Sequence, residues 1–174
     1  MTCIIFPFMV NYEPYHSVPA VPALYCNRHQ INREVNNTMD RFVKGFIIMS
    51  IVYLGIAAIL GIVMLANQDM LALKFVHSHL NMLGWVSMMI YGVGYHILPR
   101  FMGRPLYSNK IGEAQFYLAN ISLVAMLLFY TLNMYSPGGV YRLLTIAFGV
   151  VQAVAIFLFF YNMLMTLLTK VEQR

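Results

Sequence analysis

The chain has 174 residues, of which 60% are hydrophobic and only 10% are charged, whereas soluble proteins carry roughly 25% charged residues. This composition excludes an ordinary soluble domain and predicts a protein that lies mostly in a membrane. The net charge of +5 would suit a nucleic-acid partner, but the positions of the basic residues favour a membrane topology and no nucleic acid. The two cysteines, Cys3 and Cys26, do not make a disulfide framework or a CxxC metal clamp.

Residues 1–40 differ from the rest of the chain. They hold four prolines, all before Ala23, and scattered polar residues with no sustained period. The apolar start, CIIFPFMV, is too short for a span and lacks a basic region before it, so we do not interpret it as a signal peptide. We expect a poorly ordered cytoplasmic leader. Because the regular chain begins at Met39, that residue is also a candidate start.

Residues 41–174 predict an all-α, polytopic membrane domain with four transmembrane helices. The expected spans are about 42–66, 71–98, 114–134 and 143–168. The polar run Asn67-Gln68-Asp69 closes the first span, and Pro99 is expected to stop the second. The sequence Ser136-Pro137-Gly138-Gly139 predicts a tight turn before the fourth.

Four spans place both termini on one side of the membrane, and basic residues decide which side. If the N-terminus is inside, only Lys74 and Arg142 lie outside. The cytoplasm then receives the other basic residues: Arg28, Arg33, Arg41, Lys44, Arg100, Arg104, Lys110, Lys170 and Arg174. This distribution predicts an inner-membrane protein with both termini cytoplasmic, and it places His77 and His79 in the outer leaflet.

The second span holds the most informative residues, His77 and His79, because a polar side chain inside a membrane is costly and usually functional. Helix residues turn by ~100° each, so these two side chains diverge by ~200°. A single metal ion is therefore poorly placed to take both, and two separate sites are the natural geometry. A lone imidazole suits haem iron, since the porphyrin supplies four nitrogens and the protein only axial ligands. A structural role in helix packing stays open as the alternative.

Other residues of this span have simpler interpretations. His96 lies ~25 Å further along the axis and is expected at the inner interface, outside the site. Gly84, Gly92 and Gly94 allow a neighbouring helix or a flat ring to approach. Asn81, one turn from His77, is expected to orient a histidine ring or to bond another helix.

The pattern H-x-H-L-x-x-L-G-W-V at His77–Val86, followed by Tyr-His-x-Leu-Pro-Arg at Tyr95–Arg100, resembles the tenth helix of the catalytic subunit of haem–copper oxidases. The cbb-type cytochrome c oxidases are the most similar branch. The resemblance implies that His77 matches the ligand of the high-spin haem and His79 that of the low-spin haem, with haem b as cofactor. It also implies the outer side for the pair. It covers His77–Phe101 well, and the flanking spans match only in number and order.

The chain also departs from that family. The oxidase subunit has at least twelve spans. This chain lacks the copper-ligating histidines, their crosslinked tyrosine and the other low-spin haem ligand. One chain therefore does not build the oxygen-reducing centre, and its enzymatic activity stays open.

The family fold has three arcs of four helices, so the resemblance implies one arc here and a homotrimer as the ring. His79 of one subunit and His77 of its neighbour would then hold a b-type haem. The expected role is electron transfer, with a respiratory-chain redox partner, or gas sensing. The alternatives are a non-catalytic accessory or assembly subunit of a respiratory terminal oxidase and, less favoured, a small transporter or metal-trafficking protein.

Overall fold

The computed structural model describes residues 40–168, which belong to one compact unit, Met39–Arg174. The expected leader lies outside the described residues apart from Asp40, and so do both cysteines. Within 40–168, helices are the only regular secondary structure. The prediction of an all-α chain is confirmed for this part of the protein.

The elements follow one another as two long helical hairpins. Helix α1 is Arg41–Ala66, and a 3₁₀-helix at Gln68–Leu73 leads into α2, Lys74–His79. A π-helix, Leu80–Ser87, connects α2 without a break to α3, Met88–Phe101. We call the contiguous run of α2, the π-helix and α3 the histidine helix. Helix α4 is Asn109–Tyr135, and α5 is Gly139–Leu168.

Three of these helices, α1, α4 and α5, are long and apolar enough to cross a membrane. Their outward faces carry large aliphatic and aromatic side chains, among them Ile59 and Ile62 on α1, Ile121 on α4 and Phe157 on α5, all more than half exposed. Helices that are apolar on the outside as well as the inside are typical of membrane spans. The coarse prediction of an apolar, multi-helix membrane protein agrees with this arrangement.

The histidine helix ends later than the sequence predicts. Pro99 was expected to stop it at Leu98, but the helix continues through Pro99 to Phe101. The stop is Gly103, which has φ +60°, a conformation that glycine adopts at no steric cost. The Arg104 N–H donates to the Pro99 carbonyl at 2.9 Å and the Gly103 N–H to the Arg100 carbonyl at 3.1 Å. This pair of bonds is the Schellman motif, which satisfies the last carbonyls of a helix.

The other helices are also longer than their predicted spans. Helix α4 begins at Asn109, five residues before the predicted 114, because the Ser108 hydroxyl caps it by accepting from the Ile111 N–H. Helix α5 begins at Gly139, which is the last residue of the predicted turn and four residues before the predicted 143. The first turns of α4 and α5 contain polar residues, so a prediction of span bounds from hydropathy alone leaves these turns out.

Close packing holds the two hairpins together. Helix α4 packs along α5, and α1 packs along the π-helix and α3. Glycines allow the closest approaches: a Cβ on Gly92 would lie 2.7 Å from Ile47, and one on Gly112 would lie 2.6 Å from the Phe42 ring. Small residues at helix contacts are the usual way to bring membrane helices together. Gly92 thus brings the histidine helix close to α1, and Gly112 brings α4 close to α1.

Candidate functional site

His77 faces α1. Its Nδ1 lies 3.1 Å from the Ala57 carbonyl oxygen, and since a carbonyl only accepts, Nδ1 carries the proton. The ring also lies against Gly61, where an added Cβ would be 3.1 Å from the imidazole Cε1. The backbone of α1 therefore fixes the tautomer of His77 and leaves Nε2 with a free electron pair.

Asn81 lies against that same electron pair. Its Nδ2 is 2.9 Å from the His77 carbonyl oxygen and 3.3 Å from His77 Nε2. The carbonyl contact identifies this atom as the amide nitrogen, so the amide donates to Nε2 as well. Both ring nitrogens of His77 are thus hydrogen-bonded within the chain.

His79 has different neighbours. Its Nδ1 donates to the Phe75 carbonyl at 2.9 Å, and its ring lies over the Phe75 ring with centroids 3.8 Å apart. The Phe75 ring also stacks on Tyr130 of α4, at 4.0 Å. With Nδ1 as the donor, Nε2 carries the electron pair of the neutral His79 ring, and within residues 40–168 no hydrogen bond to Nε2 is found.

The two imidazoles therefore share the same tautomer but differ in whether Nε2 is hydrogen-bonded. Each is held as the Nδ1–H tautomer by a backbone carbonyl, which is how metal-ligating histidines are commonly oriented. Among the described residues, Nε2 of His79 has no hydrogen-bond partner, whereas Nε2 of His77 is covered by Asn81. The donor set suits axial ligation of haem iron, provided that Asn81 moves away from His77. Within the described residues, no group of three or more metal-ligating side chains lies together.

The π-helix begins directly after His79. π-Helical turns are rare and occur frequently at functional sites. Two polar side chains bond carbonyls here: Asn81 bonds that of His77, just before the π-helix, and the Ser87 hydroxyl donates to that of Met82, inside it, at 2.8 Å. The apolar pattern of the sequence does not distinguish this π-helix from an ordinary α-helix.

Gly84 and His96 both lie outside this contact set. Gly84 packs against Tyr53 of α1, where an added Cβ would be 2.8 Å from the Tyr53 Cβ. In this chain the glycine therefore admits a neighbouring helix. His96 lies one helical turn before Arg100, and its Nε2 accepts from the Arg100 guanidinium at 2.7 Å. This contact is separate from those of His77 and His79.

Sequence reasoning missed the groups that orient the histidines. Ala57 contributes through its backbone carbonyl, and Gly61 through the absence of a side chain, and neither leaves a signal in a single sequence. Phe75 lies four residues before His79, so helical spacing alone could have identified it as a neighbour.

In comparisons with known proteins, the chain matches no protein-family model and no curated protein. These comparisons do not show a relationship to haem–copper oxidases, and the resemblance of the H-x-H motif and its framework residues stays a prediction from the sequence.

Proposed function

We propose that this chain is a multi-pass membrane protein that binds haem b through His77 and His79. The observation that carries the proposal is the state of the two rings: each donates Nδ1–H to a backbone carbonyl, so each directs its electron pair through Nε2. An imidazole fixed in this way is a neutral ligand and buries no charge in the membrane. The haem, when bound, would supply an iron that changes oxidation state.

The two histidines contact different neighbours, Ala57 of α1 and Phe75 of the histidine helix. One iron between them would require histidines from two copies of the chain. We therefore propose a homo-oligomer, a trimer in the arrangement of the oxidase ring, with His79 of one subunit opposite His77 of the next. Iron with two histidine ligands has no open position, which favours electron transfer with a respiratory-chain redox partner over gas sensing.

The histidine helix would form the remaining span, the second in chain order, in addition to α1, α4 and α5. Its three segments run without a break from Lys74 to Phe101, which is long enough for a bilayer of ~30 Å. Both termini would then lie in the cytoplasm. The described residues Arg41, Lys44, Arg100, Arg104 and Lys110 would lie at that side. This topology places the histidine pair in the outer leaflet of the inner membrane.

A second function has its own observation in favour. Asn81 and Ala57 together satisfy both ring nitrogens of His77 without any cofactor, which is the condition of a structural histidine. On this basis the chain would be a non-catalytic accessory or assembly subunit of a respiratory terminal oxidase. The two functions differ in one measurable property, the presence of haem.

A reduced-minus-oxidised spectrum of the full chain, expressed with ample haem and purified in detergent, tests the proposal. We expect b-type bands in the wild type, their loss in His79→Ala and His77→Ala, and their retention in His96→Ala. A colourless wild-type protein would overturn the haem proposal and favour the accessory subunit. The particle mass measured on the same sample, with haem content per chain, tests the trimer separately.

A further inference from the structure

Two glutamines lie in the interior of the bundle with half of each amide unsatisfied. Gln115 is 0% exposed and Gln152 is 2% exposed. Gln115 Oε1 accepts from the Tyr95 hydroxyl at 2.7 Å, and Gln152 Oε1 accepts from the Ser122 hydroxyl. The Nε2 atoms of both glutamines have no hydrogen-bond partner within the part of the chain that the structure describes.

The two amides lie along one face of α4. Gln115, Ala119 and Ser122 follow the spacing of a single helical face and are each 0% exposed. Gln152 of α5 joins that face through its bond to Ser122. Gln115 and Ser122 are seven residues apart, which is ~10 Å along the axis. The side chains beside the amides on the two helices are short, Ala119 and Ala155.

Exchanging the oxygen and nitrogen of either amide does not remove the problem. The Tyr95 or Ser122 hydroxyl would then accept from Nε2, and Oε1 would be left without a partner instead. An unsatisfied buried polar group is rare in native proteins, and an unobserved water is a common explanation. Immobilising a water costs less than leaving such a group unpaired. Water satisfies either arrangement, because it accepts from an N–H and donates to a carbonyl oxygen, and as a neutral ligand it avoids the cost of burying an anion.

We propose that Gln115 Nε2 and Gln152 Nε2 each bind an internal water molecule, which makes a hydrated polar strip inside an otherwise apolar bundle. The strip extends toward the loop between α3 and α4, because the buried side chains Asn162 and Thr166 bond the backbone of Ser108 and Tyr107 in that loop. The proposal involves neither histidine and is independent of haem.

Asn162 provides an internal control. It is 0% exposed, as Gln115 is, but its amide is fully bonded by the protein. Its Oδ1 accepts from the Ser108 N–H at 3.2 Å, and its Nδ2 donates to the Ser108 carbonyl at 2.9 Å. It therefore requires no water.

Water-edited solid-state NMR of the full chain in lipid bilayers tests the proposal. With 15N-labelled glutamine and asparagine, we expect the Nε2 signals of Gln115 and Gln152 to receive magnetisation from water at short mixing times and to be lost in D2O. The Asn162 signal should build up slowly and persist in D2O. If both glutamine signals behave as that of Asn162 does, the strip is dry and the proposal is overturned.

The assignment does not depend on variants that could fail to fold. The pairs Ala114-Gln115 and Val151-Gln152 are each unique in the sequence, so pairwise labelling of alanine or valine with glutamine identifies each residue in the wild type. Gln152→Leu serves as a second measurement: the Gln152 signal should disappear while that of Gln115 keeps its fast build-up. Loss of fast build-up at Gln115 as well would overturn the assignment of a separate water to each glutamine.

Discussion

The amide of Asn81 donates both to the carbonyl oxygen of His77, at 2.9 Å, and to Nε2 of the same residue, at 3.3 Å. One side chain thus covers the nitrogen through which His77 would bind iron. His79 has no such cover among the described residues. If haem binds, the two ligands are unequal, because only His77 must first break a hydrogen bond.

The Asn81→Ala variant should bind haem more tightly than the wild type. A neutral hydrogen bond contributes about 1 kcal/mol, so its removal from free His77 should improve affinity by about fivefold. Haem titration of the purified apoprotein measures this change. Asn133→Ala is the matched control, since the Asn133 side chain accepts from the Gly138 N–H at the turn before α5 and no hydrogen bond joins it to a histidine within residues 40–168. Equal affinities in all three proteins would show that Asn81 does not compete with iron.

A side chain at Gly61 should displace the His77 ring. A Cβ there would lie 3.1 Å from the His77 Cε1, whereas one on Gly55 of the same helix meets nothing within 4 Å. Overpacking of this kind typically costs about 1–3 kcal/mol. We expect Gly61→Val to lower the thermal midpoint and the haem content relative to Gly55→Val. Because both variants add the same residue to the same helix, helix propensity cancels. If Gly61→Val matches Gly55→Val, the contact between α1 and His77 is absent in solution.

The sequence predicts the helices well because each is an apolar run bounded by polar residues, and that pattern is visible in the order of the residues without any tertiary contact. The spacing of His77 and His79 likewise predicts that the two rings have different neighbours. The predicted end of the histidine helix, at Leu98, was wrong. Proline near a helix terminus is tolerated when a following glycine closes the last turn, as Gly103 does here. The carbonyl of Ala57 could not be predicted, because any residue at that position offers the same atom.

Gly84 should tolerate no side chain. An added Cβ would lie 2.8 Å from both Cβ and Cγ of Tyr53, and these atoms lie close to the backbone of α1. Relief therefore requires α1 to move away from the π-helix. We expect Gly84→Ala to destabilise the protein by about 1–3 kcal/mol in a thermal unfolding measurement in detergent.

The control for Gly84 is Gly149→Ala in α5. An added Cβ there would meet only the Met126 sulfur, at 3.6 Å, which is ordinary contact. Alanine is favoured over glycine in a helix interior by roughly 0.5–1 kcal/mol, so this variant should be as stable as the wild type or more so. Equal midpoints for Gly84→Ala and Gly149→Ala would contradict the close approach of the π-helix to α1.

Asn162 should hold the loop between α3 and α4 against α5. Its amide bonds both the N–H and the carbonyl of Ser108, and it is fully buried. Leucine at this position keeps the number and branching of the side-chain heavy atoms but leaves two backbone groups unpaired, at about 1–3 kcal/mol for each that stays buried. We expect Asn162→Leu to lower the thermal midpoint and to speed chymotryptic cleavage after Tyr107, which is 45% exposed. Asn133→Leu, at the turn before α5, should leave that cleavage rate unchanged. Slow cleavage in Asn162→Leu would mean that two neighbouring bonds suffice to hold the loop: the Tyr107 N–H donates to the Thr166 hydroxyl, and the Arg104 guanidinium donates to the Leu167 carbonyl.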